Sequence, residues 1–339
     1  MLAAVQRGDE SAFVTLAERY RRQLHVHCYR MLGSFEDAED VVQETLLRAW
    51  RNRSAFEGRS LFRTWLYRIA TNACLDALAR RPRRITAPDV GPANEVDPRT
   101  LDPNVIPTGR PELPWLEPYP DSLLEPAAPS EQEPDAVVVS RETIELAYLA
   151  AIQHLPPRQR AVLLLRDSLG WSAKEVAAIL EMSVPSVNSA LQRARSTMRD
   201  RMPERRLDWT ASTGPTEEER AVLERFMLVH ETHDVAGMIA LLREDARQTM
   251  PPIPMWWEGQ EAMVTVITGY LSPGAIGDFR MVPTGANRQP AAACYLRRPG
   301  ESRYTLIGLD VLRVEGGRIV EVTGFGTSML KPFGLPPTL

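Results

Sequence analysis

The chain is nearly devoid of lysine. Lys174 and Lys331 are the only two among 40 basic residues, so almost all of its positive charge is guanidinium, the group suited to bidentate contact with phosphates and guanines. Cysteine is scarce too. Cys28, Cys74 and Cys294 stand far apart with no C-x-x-C, which argues against a disulfide framework and against a zinc site. His25, His27 and Cys28 cluster in sequence, but on a helix positions i, i+2 and i+3 do not converge on one point. No apolar run approaches the roughly 20 residues of a membrane span, and the first residues, M-L-A-A-V-Q-R-G-D-E, lack the basic and apolar regions of a signal peptide. A cytoplasmic chain with no membrane contact, no metal and no cofactor is expected.

What is present is enough apolar material, 44% over 339 residues, for two or three domains. The net charge of −4 looks wrong for a nucleic-acid binder until it is divided along the chain. Residues 1–84 carry fifteen arginines against ten carboxylates, and 141–206 carry eleven basic residues against seven acidic. Between them, 85–140 has two against eleven, and 207–339 has twelve against sixteen. Two basic blocks are thus separated by an acidic one.

In Ser34–Trp50, S-F-E-D-A-E-D-V-V-Q-E-T-L-L-R-A-W, the residues Ala38, Val41, Val42, Thr45, Leu46, Ala49 and Trp50 recur at helical spacing. Ser34 is placed to cap this helix, with Glu36 and Asp37 in its first turn. The opposite face presents Glu39, Asp40, Gln43, Glu44, Leu47 and Arg48. Upstream, residues 1–33 read as helical. Downstream, a loop at 52–60 leads into a helix over about Leu61–Ala79 containing F-R-T-W-L-Y-R-I-A-T-N, followed by Arg80, Arg81, Arg83 and Arg84.

Together, D-A-E-D-V-V-Q-E-T-L-L-R-A-W-R and F-R-T-W-L-Y-R-I-A-T-N resemble the second conserved region of bacterial RNA polymerase sigma factors of the extracytoplasmic-function class. The resemblance implies that residues 1–84 bind core RNA polymerase through Asp40, Gln43, Glu44 and Leu47. It also implies that the loop and following helix unpair and read the minus-ten element of promoter DNA. The residues suit that work, because flipped bases need aromatic or apolar faces and cations along the strand. Phe56, Phe62, Trp65 and Tyr67 are the aromatics, and Arg53, Arg59, Arg63 and Arg68 the cations. Asn72 offers an amide to a base edge, and the exit cluster Arg80, Arg81, Arg83, Arg84 attracts a polyanion. Against this, Trp65, Leu66, Ile69 and Ala70 fit a helix core equally well, and for Trp65 core packing is the preferred reading.

From 85 to 140 a proline falls every four or five residues, so an extended acidic linker is expected. Its stretch P-E-L-P-W-L-E-P-Y-P-D-S-L-L is too apolar for a passive tether. In sigma factors the connector threads the polymerase cleft; the apolar stretch could instead pack on a neighbouring domain, and both readings stay open.

Helices resume at Arg141. S-A-K-E-V-A-A-I-L, the turn Glu181-Met182-Ser183 and V-P-S-V-N-S-A-L-Q-R-A-R have helix-turn-helix spacing: Ser172 and Glu175 form a capping box, and Pro185 opens the second helix. Its outward face is Ser186, Asn188, Ser189, Gln192, Arg193 and Arg195. Following L-P-P-R-Q-R-A-V-L-L-L-R, this motif resembles the fourth conserved region of the same class, which reads the minus-thirty-five element. Residues 141–203 are assigned to it. Several family members carry arginine near Asn188 or Ala190, so base preference does not transfer.

Residues 215–339 read as three helices, beginning at Thr216, Val235 and Glu258, then strands over 279–282, 291–297, 304–314 and 318–324 with a turn at Glu315-Gly316-Gly317. This pattern resembles the α+β cone of SnoaL-like domains. Some of those are enzymes using an Asp or His acid/base, for which His230, His233, Asp234, Asp245 and Asp310 are the candidates. Met255, Trp256 and Trp257 fit either a pocket or a core.

The expected architecture is therefore two all-α sigma domains, the second with a helix-turn-helix, joined by a proline-rich linker and followed by a SnoaL-like regulatory domain. The expected function is promoter-specific initiation with core polymerase, without substrate turnover. An anti-sigma factor or a small ligand at the C-terminal domain would be an additional partner. The alternatives are a one-component ligand-sensing regulator, which leaves 34–84 unexplained, and an enzyme on the SnoaL-like scaffold.

Overall fold

Asp9 starts the first long helix by accepting from the Ala12 amide, and helix α1 runs Glu10–Leu32 to Gly33, which adopts φ 71°. Glycine is needed there twice over. The left-handed backbone favours it, and a Cβ would lie 3.0 Å from Arg84 Cγ and 3.1 Å from the Gln153 amide. The computed structural model describes residues 4–5, 7–56, 62–95, 109–124, 144–202, 214–272 and 275–339. They divide into a helical unit, 1–84 with 123–212, and a C-terminal unit, 85–122 with 213–339.

In the helical unit, α2 (Phe35–Arg51) is capped by Ser34 accepting from the Asp37 amide. Helix α3 spans Phe62–Leu78. These two helices pack on α1 and on each other, closing a core that includes Leu24, Ala38, Val42, Leu66 and Ala70, each wholly buried. Arg59 and Leu61 lie outside the described residues. The second half holds α4 (Leu146–Gln153), α5 (Pro157–Leu163) continued by a π turn, α6 (Ala173–Leu180) and α7 (Val184–Arg201). The expected capping box of Ser172 with Glu175 is present, and Glu181 takes the left-handed turn at φ 54°.

The two halves are joined through buried guanidiniums. Arg30 on α1 donates to Tyr148 Oη at 3.2 Å and to Ser168 Oγ at 2.6 Å. Arg160 on α5 donates to the Met31 carbonyl, to Gln153 Oε1 at 2.7 Å, and to the Gln153 and Leu155 carbonyls at 2.9 and 3.3 Å. Burial brings its pKa down to about 10, still protonated at neutral pH. Tyr67 on α3 meets Trp171 edge-on at 5.3 Å.

In the C-terminal unit, α8 (Glu217–Glu231) and α9 (Val235–Leu241) lead into β1 (Leu242–Met250) and β2 (Ile253–Glu258). Helix α10 (Gln260–Leu271) is followed by β3 (Asp278–Ala286), β4 (Gln289–Arg297), β5 (Thr305–Glu315) and β6 (Arg318–Gly326). The strands form one sheet in the order β2-β1-β6-β5-β4-β3, antiparallel except where β1 runs parallel to β6. The helices cover one face, where Phe226, Leu241, Met263, Ile267, Met281, Leu312 and Val322 share a buried cluster. The Gly316-Gly317 turn has φ 57° and 71°, the twist a two-residue hairpin demands. Strands β1 and β2 were not expected. L-R-E-D-A-R-Q-T-M is polar, and its strand conformation comes from pairing with β2 and β6 rather than from propensity.

The linker is not a free tether where it is described. Ile85 pairs with Trp115 as a parallel bridge, and Trp115, Leu116 and Tyr119 are buried. The Trp256 indole donates to the Gly91 carbonyl, and Asn94 and Trp256 exchange hydrogen bonds. The Arg110 amide donates to the Pro252 carbonyl. At the opposite edge, the Tyr119 and Asn287 residues exchange bonds and the Arg288 amide donates to Asp121. Residues 85–95 and 109–122 thus cross from β2 to the β3–β4 turn of the C-terminal sheet. Of the two readings of the apolar stretch, packing on a neighbouring domain is the one this arrangement has. Residues 96–108, 125–143 and 203–213 lie outside the described residues, and with them the expected start at Arg141.

Candidate polymerase and nucleic-acid interfaces

Helix α2 buries Ala38, Val41, Val42, Thr45 and Ala49. That choice turns Asp40, Gln43 and Leu47 outward, with Glu44 half-buried beside them. Leu47 is 51% exposed in the middle of a polar face, where an apolar side chain gains nothing from the fold itself. Glu44 accepts from Arg48 at 2.7 Å, and Arg48 reaches on to Asp76 at 3.1 Å. The four residues assigned to polymerase contact therefore occupy one stripe.

The residues assigned to the minus-ten element divide. Arg53 lies over the Trp50 ring at 4.1 Å and donates to its carbonyl at 2.9 Å. Phe56 is buried, edge-on to Phe62 at 5.6 Å and against Trp65 at 5.2 Å. Phe62 and Tyr67 are buried as well, whereas Trp65 is half-buried. The aromatic most accessible on α3 is thus the one for which core packing was preferred. Arg63 stands over Tyr67 at 5.3 Å, and Asn72 is half-buried. Arg80, Arg81 and Arg83 are exposed, but Arg81 and Arg84 both pair with Asp37. Part of the exit cluster's charge is thereby neutralised at home.

On α7 all six expected reading residues, Ser186, Asn188, Ser189, Gln192, Arg193 and Arg195, are exposed, while Val187, Ala190, Leu191, Ala194 and Met198 are buried. Arg195 forms a fork onto Asp167 at 2.6 and 2.9 Å. Arg193 therefore carries the more available guanidinium of the two.

Among the C-terminal candidates, no hydrogen bond links any two of His230, His233, Asp234, Asp245 and Asp310 among the described residues. His230 is buried against Phe226, shares a hydrogen bond with its carbonyl at 2.8 Å, and is held neutral because burial brings its pKa to about 4. Asp234 caps α9, and Asp245 is held below the usual carboxylate range by Arg243. His233 bonds the Leu271 carbonyl at 2.9 Å. Of these candidates, Asp310 has no hydrogen bond or ion pair among the described residues, and burial raises its pKa to about 7. Trp257 is buried and Trp256 is tied to Gly91. The cysteines are free and buried, Cys74 lying beside Cys28 with its thiol pushed up by burial, and His27 bonds Thr71 at 3.0 Å.

Family models match three stretches of the chain: sigma-70 region 2 over residues 16–84, sigma-70 region 4 over 145–198 and a SnoaL-like domain over 223–322. The chain is 43% identical over 335 residues to the ECF RNA polymerase sigma factor SigG of Mycobacterium tuberculosis, an alignment covering 98% of this chain and 86% of the relative. The chain belongs to the ECF RNA polymerase sigma factors.

The sigma factor is also 31% identical over 198 residues to the ECF RNA polymerase sigma factor SigW of Bacillus subtilis, an alignment covering 58% of this chain and 92% of the relative. The crystal structure of the Mycobacterium tuberculosis extracytoplasmic-function sigma factor SigJ shares its fold, with a TM-score of 0.60 at 20% identity over 95% of this chain and 100% of that one. What sequence reasoning missed in this sigma factor are Arg30 and Arg160. A hint lay in their setting: each is an arginine among apolar neighbours on a helix, and a buried guanidinium needs several acceptors.

Proposed function

We propose that the helical unit binds core RNA polymerase through Asp40, Gln43, Glu44 and Leu47, and reads promoter DNA with the α3 region and with α7. The alignment with a sigma factor over nearly the whole chain carries this reading, and the outward stripe on α2 supports it. Minus-ten contact falls to Arg53, Arg63, Asn72 and the exposed Arg80 and Arg83, with Trp65 the stacking face in reach. Upstream contact falls to Ser186, Asn188, Ser189, Gln192 and Arg193.

Promoter elements about 25 base pairs apart are separated by roughly 85 Å at 3.4 Å per pair. Two domains held side by side by Arg30, Arg160 and the Arg68–Glu181 pair at 3.0 Å do not reach both. The described arrangement is therefore the polymerase-free one, and engagement requires the halves to part. The C-terminal unit, which holds the linker, is in a position to modulate that step. No catalysis is assigned to it, since among the described residues no hydrogen bond links any two of His230, His233, Asp234, Asp245 and Asp310. Among the described residues no helix is long and apolar enough to cross a membrane, and action with polymerase places the protein in the cytoplasm.

Run-off transcription with purified core enzyme tests this. Asp40→Arg with Glu44→Arg should abolish pull-down of core enzyme without altering the helical circular dichroism, because charge reversal on that stripe repels a basic partner. Pull-down at the wild-type level would overturn the assignment.

A further inference from the structure

Asp167 lies in the π turn Leu164–Ser168 that continues α5, and Arg195 lies on α7. The turn is tied down by its own neighbours. Leu164 and Leu165 are buried, their carbonyls accept from the Leu169 and Trp171 amides at 3.1 Å, and Arg166 donates to the Trp171 carbonyl. A fixed turn thus presents the Asp167 carboxylate to α7. Arg195 meets it with two parallel bonds, Nε to Oδ2 at 2.9 Å and one terminal nitrogen to Oδ1 at 2.6 Å. Both residues belong to the second half of the helical unit. Parting of the halves therefore leaves this fork in place, whereas it breaks the Arg68–Glu181 pair.

Arg195 stands on the reading side of the helix. Asn188, Gln192 and Arg195, at i, i+4 and i+7, form one exposed stripe. A lone guanidinium on that stripe would add a contact to the DNA backbone, and Asp167 changes the sum, because the pair carries no net charge. If Arg195 stays in the fork, its donors are spent on the carboxylate. If it leaves for a phosphate, it gives up two charge-assisted bonds and strands a carboxylate beside the backbone, where like charge repels. Neither course adds a net cation. The pair also does little for the fold, since the Arg195 side chain is 55% exposed and that of Asp167 31%, and solvent screens such a bridge. Its consequence falls on what approaches α7.

We propose that Asp167 is a positioning residue for promoter contact: it is an intramolecular stand-in for phosphate that holds Arg195 out of sequence-independent binding and leaves the upstream contact to Arg193 and the uncharged side chains of α7. The proposal rests on the reading of α7 as the helix that meets the upstream element.

The test uses the full chain assembled with core RNA polymerase and two labelled duplexes. One is selected by the wild-type holoenzyme from a pool randomised in the upstream element, and the other is the same duplex with that element scrambled. Wild type, Asp167→Asn, Arg195→Ala and the double variant are titrated from about 50 to about 200 mM salt. Asparagine keeps the size of Asp167 and removes its charge. Asp167→Asn should bind both duplexes more tightly at the low salt, and should lose about 3.5-fold more affinity than the wild type across that range, the slope of about 0.9 that one added phosphate contact brings. Arg195→Ala, with its carboxylate unpaired, should bind more weakly than the wild type, and the double variant should return to the wild-type affinity and slope. The proposal is overturned if Asp167→Asn keeps the wild-type slope, if its gain persists undiminished in the double variant, or if the gain is confined to the selected duplex, which would make Arg195 a reader of bases. A selection that enriches no upstream sequence would instead refute the reading of α7, and the salt slope on the scrambled duplex would still decide the role of Asp167.

Discussion

Arg160 and Asp310 are both ionisable groups set deep in the fold, Arg160 buried in the helical unit and Asp310 half-buried in the C-terminal one, and their surroundings are opposites. Arg160 has four acceptors, drawn from α1, from the end of α4 and from the turn after it. Asp310 has none. Burial costs either group its hydration, and only partners restore it. A buried charge with partners fixes the arrangement of the elements that supply them, whereas an acid without partners favours its neutral form.

The contrast is broken most directly at Arg160. Arg160→Met leaves the Met31, Gln153 and Leu155 carbonyls and the Gln153 side chain without their donor, and should lower the stability of the helical unit by about 3 kcal/mol. Urea denaturation followed by helical circular dichroism measures it. A variant as stable as the wild type would mean that the acceptors are not what the guanidinium is there for.

Asp310→Asn should act in the other direction. Because the folded pKa of about 7 lies above the ordinary 3.8, the folded state holds its proton more tightly than the unfolded one, and stability falls as pH rises from about 4 to about 7. Asparagine removes that loss. The variant should match the wild type near pH 4 and exceed it by about 2 kcal/mol at pH 8, once the partial exposure of the side chain is allowed for. His230, with its pKa lowered to about 4, contributes the opposite slope, stability lost as pH falls from about 6.5 to about 4. It is common to both proteins and cancels in the difference. A gap that does not widen with pH would show that Asp310 is paired after all.

The units also differ in how far they could be read beforehand. The helical unit was legible in its elements because its periodicities are local: Ser34, Ser172 and Pro185 stand where caps and helix starts belong, and the outward residues of α2 and α7 follow from the apolar ones. Its minus-ten surface was legible only in part. Which aromatic is covered depends on how α1, α2 and α3 meet, and that buried Phe56 and Phe62 while leaving Trp65 half-open. In the C-terminal unit β3 to β6 were readable from alternation and from Gly316-Gly317, but β1 was not, since a polar sequence became a strand through its two neighbours. Asp310 was among the candidates. Its isolation comes from Gly308 and Gly324 on the same and adjacent strands, which only register reveals.

Arg193 sharpens the comparison on the DNA side. It is exposed on α7, whereas Arg195 is committed to Asp167. Arg193→Ala should weaken binding at the upstream promoter element by about 1.5 kcal/mol if it reads guanine through both nitrogens, and Arg195→Ala by less. Binding to wild-type and upstream-substituted promoter fragments separates the cases. A loss shared equally by all sequences would make Arg193 a phosphate contact.

A further expected effect concerns the C-terminal unit as a whole. Its sheet holds residues 85–95 and 109–122 of the linker at both edges, through Trp256 and Pro252 at one and Asn287 and Arg288 at the other. Removing residues 215–339 releases residues 85–95 and 109–122 from the sheet and takes away the partners of Trp115, Leu116 and Tyr119 there. Two consequences oppose each other. A released linker allows the halves of the helical unit to part, which favours promoter engagement, while newly exposed apolar side chains and a longer free chain carry an entropic cost when the domains are placed on DNA. We expect the second to dominate, because a domain that only inhibits would more simply be a separate protein. Transcription by the truncated protein should fall more than tenfold, a coupling of at least about 1.4 kcal/mol, measured at matched concentration and matched affinity for core enzyme. Restoring activity by Trp115→Ser in the truncated chain would assign the loss to the exposed apolar stretch. Equal output from the truncated and full-length proteins would show that holding the linker does not bear on initiation.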